Sequence, residues 1–165
     1  MLTGYRRRSQ AFVVAWVLCS LWSLPLSAAT ITIINMDAPS EGLNDPTPAI
    51  PVGGNPGITL GQQRQFAAEY AADIWSRWIV SEVEIRVEFS FDPLGGDPSG
   101  AVLAGAGPIV IFRDFPGAPR AETFYVSALA NALANTDLDP AFNDIVSMAN
   151  SDVDDHEVLG TRRFY

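Results

Sequence analysis

The residue with the clearest chemical potential is the only histidine of the chain, His156, which is followed directly by Glu157. A His-Glu pair opens the signature H-E-x-x-H, in which two histidines one helical turn apart bind zinc and the glutamate activates water. In this chain Gly160 occupies the position of the second histidine, and the single cysteine, Cys19, lies near the N-terminus. A catalytic zinc site therefore does not follow from this sequence, and we assign no catalytic residue.

Two groups of acidic residues are the remaining candidates for metal binding. His156 together with neighbouring aspartates is a weak candidate for zinc, and an exposed histidine in an acidic tail is the alternative reading. Asp37, Glu41 and Asp45 are weak candidates for calcium, because carboxylate oxygens are its preferred ligands. Their spacing does not match an EF-hand loop, and turn formation by Asp and Asn side chains explains them as well.

The N-terminus has the features of a secretory signal, which we predict to span residues 1–29. Three arginines at 6–8 precede an apolar stretch at 11–22 that is too short to span a bilayer comfortably. Small residues at 27–29 indicate cleavage after Ala29, and an uncleaved membrane anchor is the alternative. The sequence therefore predicts a secreted or periplasmic protein without disulfide bonds in its mature part.

The charge of the chain limits its partners. Ten basic and 19 acidic residues give a net charge of −9 at pH 7. Nucleic acids and anionic membranes need a basic surface, so we expect neither as a partner after signal cleavage. An acidic surface suits a soluble extracellular protein and is compatible with calcium.

Strand and helix patterns follow the signal. The β-branched run at 30–35 predicts a strand, and a loop rich in proline and glycine occupies 36–61. A capping box opened by Thr59 starts a long amphipathic helix, with an ion pair expected between Asp73 and Arg77. We expect its apolar side chains to form the core, and they recur every four residues at Phe66, Tyr70, Ile74 and Trp78.

The second half of the chain alternates between strand and helix signals. Perfect alternation at 83–91 predicts a half-buried strand. We predict a short strand or turn at 101–104, a strand at 108–112, a helix at 121–135, and a last helix opened by Asp139-Pro140 that runs to about 149. The order predicts an α+β fold, a small mixed sheet with the long helix packed on one face. Residues 151–165 form an acidic tail, interpreted as solvated and partly disordered.

Several short phrases occur in an order that resembles the N-terminal region of bacterial secreted proteins related to zinc metallopeptidases. The resemblance covers roughly residues 31–151, and none of its phrases is catalytic. They lie at Asn35-x-Asp37, 41–48 (Glu-Gly-Leu-Asn-Asp-Pro-Thr-Pro), 51–57, 60–64, 72–75, 92–94, 106–108, 114–119, 128–131 and 136–138.

This resemblance implies the front half of a zincin-type catalytic domain, in which the sheet backs the metal-binding helix and an edge strand aligns a peptide substrate. In the family an aromatic phrase precedes that helix, and Arg163-Phe164-Tyr165 is similar to it. The pair formed by His156 and Glu157 then lies upstream of where the metal helix begins. The zinc and the peptide or protein substrate expected for a full-length relative would depend on residues after Tyr165.

The leading hypothesis is therefore an exported scaffold, an incomplete α+β metallopeptidase-like domain at 30–150 that is inactive alone. It implies marginal stability and exposed apolar surface where the rest of the domain would pack. The competing hypothesis is a complete, non-enzymatic extracellular binding or surface module that has kept the scaffold.

Overall fold

The computed structural model of the chain describes residues 28–155 and 158–162. The predicted signal therefore lies outside the described residues except for Ala28 and Ala29, and so does His156. Within the described part, no helix has the length and apolar character needed to cross a membrane. The elements are β1 (Ile31–Asn35), a first 3-10 helix (Gly42–Asn44), α1 (Leu60–Ser76), β2 (Ile85–Asp92), β3 (Ala104–Pro108), β4 (Ile111–Arg113), β5 (Phe124–Val126), α2 (Ser127–Ala134), β6 (Ile145–Asn150) and a second 3-10 helix (Ser151–Asp155).

Four strands form a mixed sheet in the order β1-β2-β6-β3. β1, β2 and β6 run parallel to one another, and β3 pairs antiparallel with β6 at the edge. The register places Ile33 beside Val87 and Phe89 beside Ser147, so odd-numbered residues of three strands share one face. β4 and β5 form a separate antiparallel pair. The predicted α+β class with a small mixed sheet is confirmed.

α1 begins where the sequence predicts. The Thr59 hydroxyl accepts a hydrogen bond from the Gln62 backbone N–H at 3.2 Å. The Gln62 side chain accepts from the Ile58 N–H at 2.9 Å, one residue before the position of a standard capping box. Both bonds satisfy backbone donors that a helix start leaves free.

The prediction that the aromatic residues of α1 form the core is wrong. Phe66 is 37% exposed, Tyr70 57%, Ile74 42% and Trp78 79%. Small residues such as Ala72, which is 8% exposed, face the side of the sheet instead. The described residues also form no ion pair between Asp73 and Arg77.

The predicted last helix is also wrong, because residues 145–150 form β6 in the middle of the sheet. Asp139-Pro140 starts a turn, in which the Phe142 N–H donates to the Asp139 carbonyl at 3.2 Å. Asp-Pro occurs at the start of turns as well as of helices. Here the pairing of residues 145–150 in the sheet favours the turn.

The predicted strand at 108–112 and helix at 121–135 are each correct only in part. β3 ends at Pro108 and β4 begins at Ile111, so two short strands replace one. The first residues of the predicted helix form β5, and α2 begins only at Ser127. β-branched and aromatic residues at 124–126 favour the strand there.

A tight contact between α1 and the first 3-10 helix occurs at Gly61. A Cβ atom there would lie 2.5 Å from the Leu43 carbonyl oxygen and 2.7 Å from the Asp45 backbone nitrogen. Backbone atoms cannot rotate away, so we expect Gly61→Ala to lower the free energy of unfolding by about 1–3 kcal/mol, despite the better helix propensity of alanine. Urea unfolding of Gly61→Ala measures this. Gly100→Ala is the control, since a Cβ at Gly100 meets open space, and equal stability of the two variants would contradict the prediction.

Candidate functional site

An open apolar groove lies over one face of the sheet, with a volume of about 600 Å³. α1 forms one wall and α2 with β5 forms the other, while all four strands of the sheet contribute to the floor. Ser81 and Ser147 are the two polar residues of the lining. The others are Ile31, Ile33, Ala68, Ala71, Ala72, Trp75, Ile79, Val80, Ile85, Val87, Phe89, Ala106, Val126, Ala128, Leu129, Ala132 and Ile145.

The floor of the groove spans all four strands of the sheet. Neighbouring strands lie about 4.8 Å apart, so a floor of four strands is roughly 14 Å across. An α-helix with its side chains measures about 10–12 Å in diameter. Trp75, Val80 and Leu129 along the walls are 62%, 51% and 48% exposed. Exposed apolar surface of this extent marks a place where another element binds.

A buried polar cluster fixes the wall formed by α2. The Asp144 side chain accepts hydrogen bonds from Asn131 Nδ2 at 3.0 Å and from the Arg86 backbone N–H at 2.9 Å. The Ser127 hydroxyl donates to the Asp144 carbonyl at 2.8 Å. Asp144, Asn131 and Ser127 are at most 4% exposed, so these bonds lack competition from water. The cluster therefore joins the start of α2 to β2 and β6.

The described core is small and lies at the carboxyl ends of the parallel strands, where Arg64 joins several elements. Its side chain is 4% exposed and donates to the Gly42 carbonyl at 3.1 Å. The guanidinium forms ion pairs with Asp154 and, at 3.6 Å, with Asp45. It also lies 4.4 Å from the centre of the Phe91 ring, a cation–π distance. Arg64 thus connects α1, β2, the first 3-10 helix and the second.

Asn150 at the end of β6 holds the loop that leads into β3. Its side chain is fully buried and makes four hydrogen bonds. Oδ1 accepts from the N–H groups of Leu94 at 3.1 Å and Asp152 at 2.9 Å. Nδ2 donates to the carbonyls of Gly95 and Val102, both at 2.8 Å. Both acceptor positions and both donor positions of the amide are therefore used.

The three calcium candidates lie along one loop, where each binds backbone N–H groups. Asp37 accepts from Leu43 at 2.6 Å and from Phe91 at 2.7 Å. Glu41 accepts from Ala38 at 3.1 Å, and Asp45 accepts from Thr47 at 2.8 Å. Within residues 28–155 and 158–162, no group of three or more His, Cys, Asp or Glu side chains is arranged to hold a metal ion. Calcium at Asp37, Glu41 and Asp45 stays a prediction.

Asp45 makes stability depend on pH. Burial raises the pKa of its carboxyl, but hydrogen bonds from Thr47 and the charge of Arg64 outweigh burial and leave the pKa below the ordinary 3.8. A group with a lowered pKa in the folded state stabilises the fold above its unfolded pKa, and this stabilisation is lost as the pH falls through the folded pKa. We therefore expect the free energy of unfolding to decrease as the pH is lowered below about 4.

Asp45→Asn tests this dependence by thermal melts between neutral pH and pH 2.5. The variant should lose less stability on acidification than the unsubstituted chain, although it starts from a lower stability. Glu82→Gln, at an exposed position, is the control and should follow the unsubstituted chain. An Asp45→Asn profile parallel to that of the unsubstituted chain would contradict the prediction.

The segment predicted as an acidic tail contacts the domain in its described part. Val153 is 2% exposed and Val158 6%. Asp152 accepts from the Gly95 N–H at 2.7 Å, and Asp154 pairs with Arg64. The zinc candidate His156 lies outside the described residues, so zinc binding there stays a prediction.

The residues that organise this region were missed by reasoning from sequence. A single arginine in an amphipathic helix, Arg64, resembles a solvent-facing residue, and Asn150 directly follows the predicted last helix. The signal for the groove was present, because alanines at 68, 71 and 72 mark a helix face that can approach a sheet. The chain matches no protein-family model, no curated protein and no solved structure.

Proposed function

We propose that this chain is the exported N-terminal scaffold portion of a zinc-metallopeptidase-like protein, without catalytic activity of its own. It would supply the sheet and one wall of the substrate cleft. The polypeptide that completes the domain would supply the metal-binding helix. The proposal rests on the order of phrases in the sequence and on one feature of the fold, the open groove.

The groove carries the proposal because its apolar lining suits the apolar face of a helix. Its floor and walls are apolar apart from Ser81 and Ser147, so an occupant would have apolar side chains on three sides. Burial of this surface is favourable at about 25 cal/mol per Å². A helix that follows the described part and packs between α1 and α2 would complete a two-layer domain.

The edge strand β3 supports the part of the proposal that concerns a peptide substrate. β3 is antiparallel to β6 and has no partner strand on its other side in the described sheet. Cβ atoms at Gly105 and Gly107 would meet nothing within 4 Å, so one face of this strand is uncovered. An extended peptide binds such an edge through backbone hydrogen bonds. We therefore assign β3 as the substrate-aligning strand of the proposed full-length protein.

The residues described here do not by themselves fit a bound zinc ion, since they lack a group of metal-binding side chains. The ligands and the general base would come from the polypeptide after Tyr165, and we derive no catalytic step from this chain. Its own contribution is to position: the cluster around Asp144 fixes one wall, and Arg64 fixes the carboxyl ends of the strands.

The decisive experiment is to read all three reading frames after residue 165 and to express the chain together with any H-E-x-x-H segment found. A hydrophobic dye should bind the chain alone, and the added segment should displace it. Ala68→Trp fills the groove wall and should prevent displacement, whereas Ala67→Trp, which does not line the groove, should allow it. Absence of any such segment, or displacement unaffected by Ala68→Trp, would refute the proposal.

A non-enzymatic extracellular binding module is the second candidate function. The observation in its favour is the groove volume of about 600 Å³, which falls within the size range of small-molecule pockets. The lining has no charged side chain, so the ligand would be apolar and neutral. Native mass spectrometry of the purified chain distinguishes the two candidates, because a retained apolar ligand supports the module and an empty groove supports the scaffold.

A further inference from the structure

The face of α1 that points away from the sheet carries a row of large apolar side chains. This outer stripe consists of Phe66, Tyr70 and Ile74 of α1 and of Trp78 in the turn that directly follows the helix, each between 37% and 79% exposed. A helix turns by about 100° per residue, so the outer stripe lies on the side opposite Ala68 and Ala72, which face the groove. The outer stripe and the groove are therefore separate surfaces, and an occupant of the groove leaves the outer stripe exposed.

The outer stripe is a continuous ridge. The Phe66 and Tyr70 rings are stacked, with 6.4 Å between their centres and 7° between their planes. In the loop before α1, Ile50 is also 86% exposed, and its carbonyl accepts from Gln63 Nε2 at 2.9 Å. A contiguous apolar surface of this kind differs from single exposed residues and marks an interface.

We propose that the outer stripe is a dimer interface, occupied by the same stripe of a second copy of this chain. Residues four apart form the ridge that packs into the matching groove of an identical helix, at a crossing angle of about −50°. A two-fold axis between Tyr70 and Ile74 makes the surface its own complement. The helices then run antiparallel across the interface.

Charges at the edge of the stripe fit this arrangement. Arg77 forms no ion pair within the part of the chain that the structure describes. The two-fold axis brings Arg77 toward the first half of the other copy's α1, where Glu69 is exposed beside the stripe. One such contact forms on each side of the axis, and opposite charges at an interface rim fix its register.

The size of the stripe predicts a reversible dimer. Large apolar side chains expose roughly 150–250 Å² each when free, so the exposed fractions of these four residues correspond to roughly 400 Å² per copy. A standard interface buries about 800 Å² per partner. Two chains of net charge −9 also repel each other, so we expect association to strengthen as salt screens that repulsion.

Sedimentation of the 165-residue chain over a range of concentrations and salt tests the proposal. Tyr70→Glu and Ile74→Glu should each weaken dimerisation by about tenfold or more. Leu129→Glu is the matched control, because Leu129 is similarly exposed but lines the groove, and this variant should dimerise normally. The N-terminal segment is common to all variants, and circular dichroism shows whether each is folded.

Charge exchange provides a second, independent test. Arg77→Glu alone should weaken the dimer, and the double variant Arg77→Glu with Glu69→Arg should restore it. A monomer at every concentration and salt would overturn the proposal, as would a dimer disrupted by Leu129→Glu but not by Ile74→Glu. These results leave the proposed scaffold function unaffected, since it concerns the groove.

Discussion

Asn150→Ala is expected to lower the free energy of unfolding by about 3–4 kcal/mol. The substitution removes four hydrogen bonds from a fully buried site. Each net bond contributes about 1 kcal/mol, and the groups left behind without partners add to the cost. A loss of this size is a large part of the 5–15 kcal/mol that stabilises a typical domain. Urea unfolding followed by circular dichroism measures it.

Two further variants show whether the hydrogen bonds of Asn150 are the cause. Asn150→Asp keeps the acceptor but loses both donated bonds and buries a charge, so it should be no more stable than Asn150→Ala. Asn143→Ala is the matched control, because Asn143 is half-buried and makes one side-chain bond, to Glu88 at 2.8 Å. The control should lose less than about 1 kcal/mol of stability. A loss equally small for Asn150→Ala would contradict the prediction.

β1 and β2 could be predicted from sequence because their signals are local. A β-branched run and strict alternation each leave one face for the sheet, and no other structure satisfies these patterns. β6 could not be predicted in this way. Ile145 and Val146 favour a strand, but the residues at 147–150 do not, and the strand conformation depends on pairing with β2 and β3, which lie far away in sequence.

The orientation of α1 illustrates a different limit. Its sequence has two apolar faces, one aromatic and one rich in alanine, and hydrophobicity alone favours the aromatic face as the core. The structure instead turns the alanine face toward the groove over the sheet and leaves the aromatic face exposed. The candidate site has the same origin, since a groove exists only where α1 and α2 lie on one face of the sheet.

The roles of the carboxylates at the calcium candidates could be predicted from the sequence only in part. Asp and Asn in the loop were assigned either to metal binding or to turns, and the composition alone does not separate the two. The structure shows Asp37 joining this loop to β2 through the Phe91 N–H at 2.7 Å. That contact spans more than fifty residues of sequence, so no local pattern could reveal it.

Arg64→Ala is expected to lower the free energy of unfolding by about 3–5 kcal/mol, the usual cost of removing one partner of a buried ion pair. The substitution removes the contacts of a side chain that is 4% exposed, including the bond to Gly42 and the packing on Phe91. Arg64→Met keeps much of the apolar stem, so its free energy of unfolding should decrease less than that of Arg64→Ala. Urea unfolding of both variants measures the difference. The free energy of unfolding should have the same slope against urea concentration in each variant.

A double-mutant cycle isolates the contact between Arg64 and Asp154. Arg64→Met and Asp154→Asn, singly and together, should give a coupling energy above about 1 kcal/mol, because the arginine is buried. Asp154 is 26% exposed, so solvent screening keeps the coupling well below the value for a fully buried pair. The same cycle on Arg113 and Asp114, whose side chains are 50% and 44% exposed, should give a coupling near zero. Equal coupling in the two cycles would show that burial of Arg64 does not strengthen the pair.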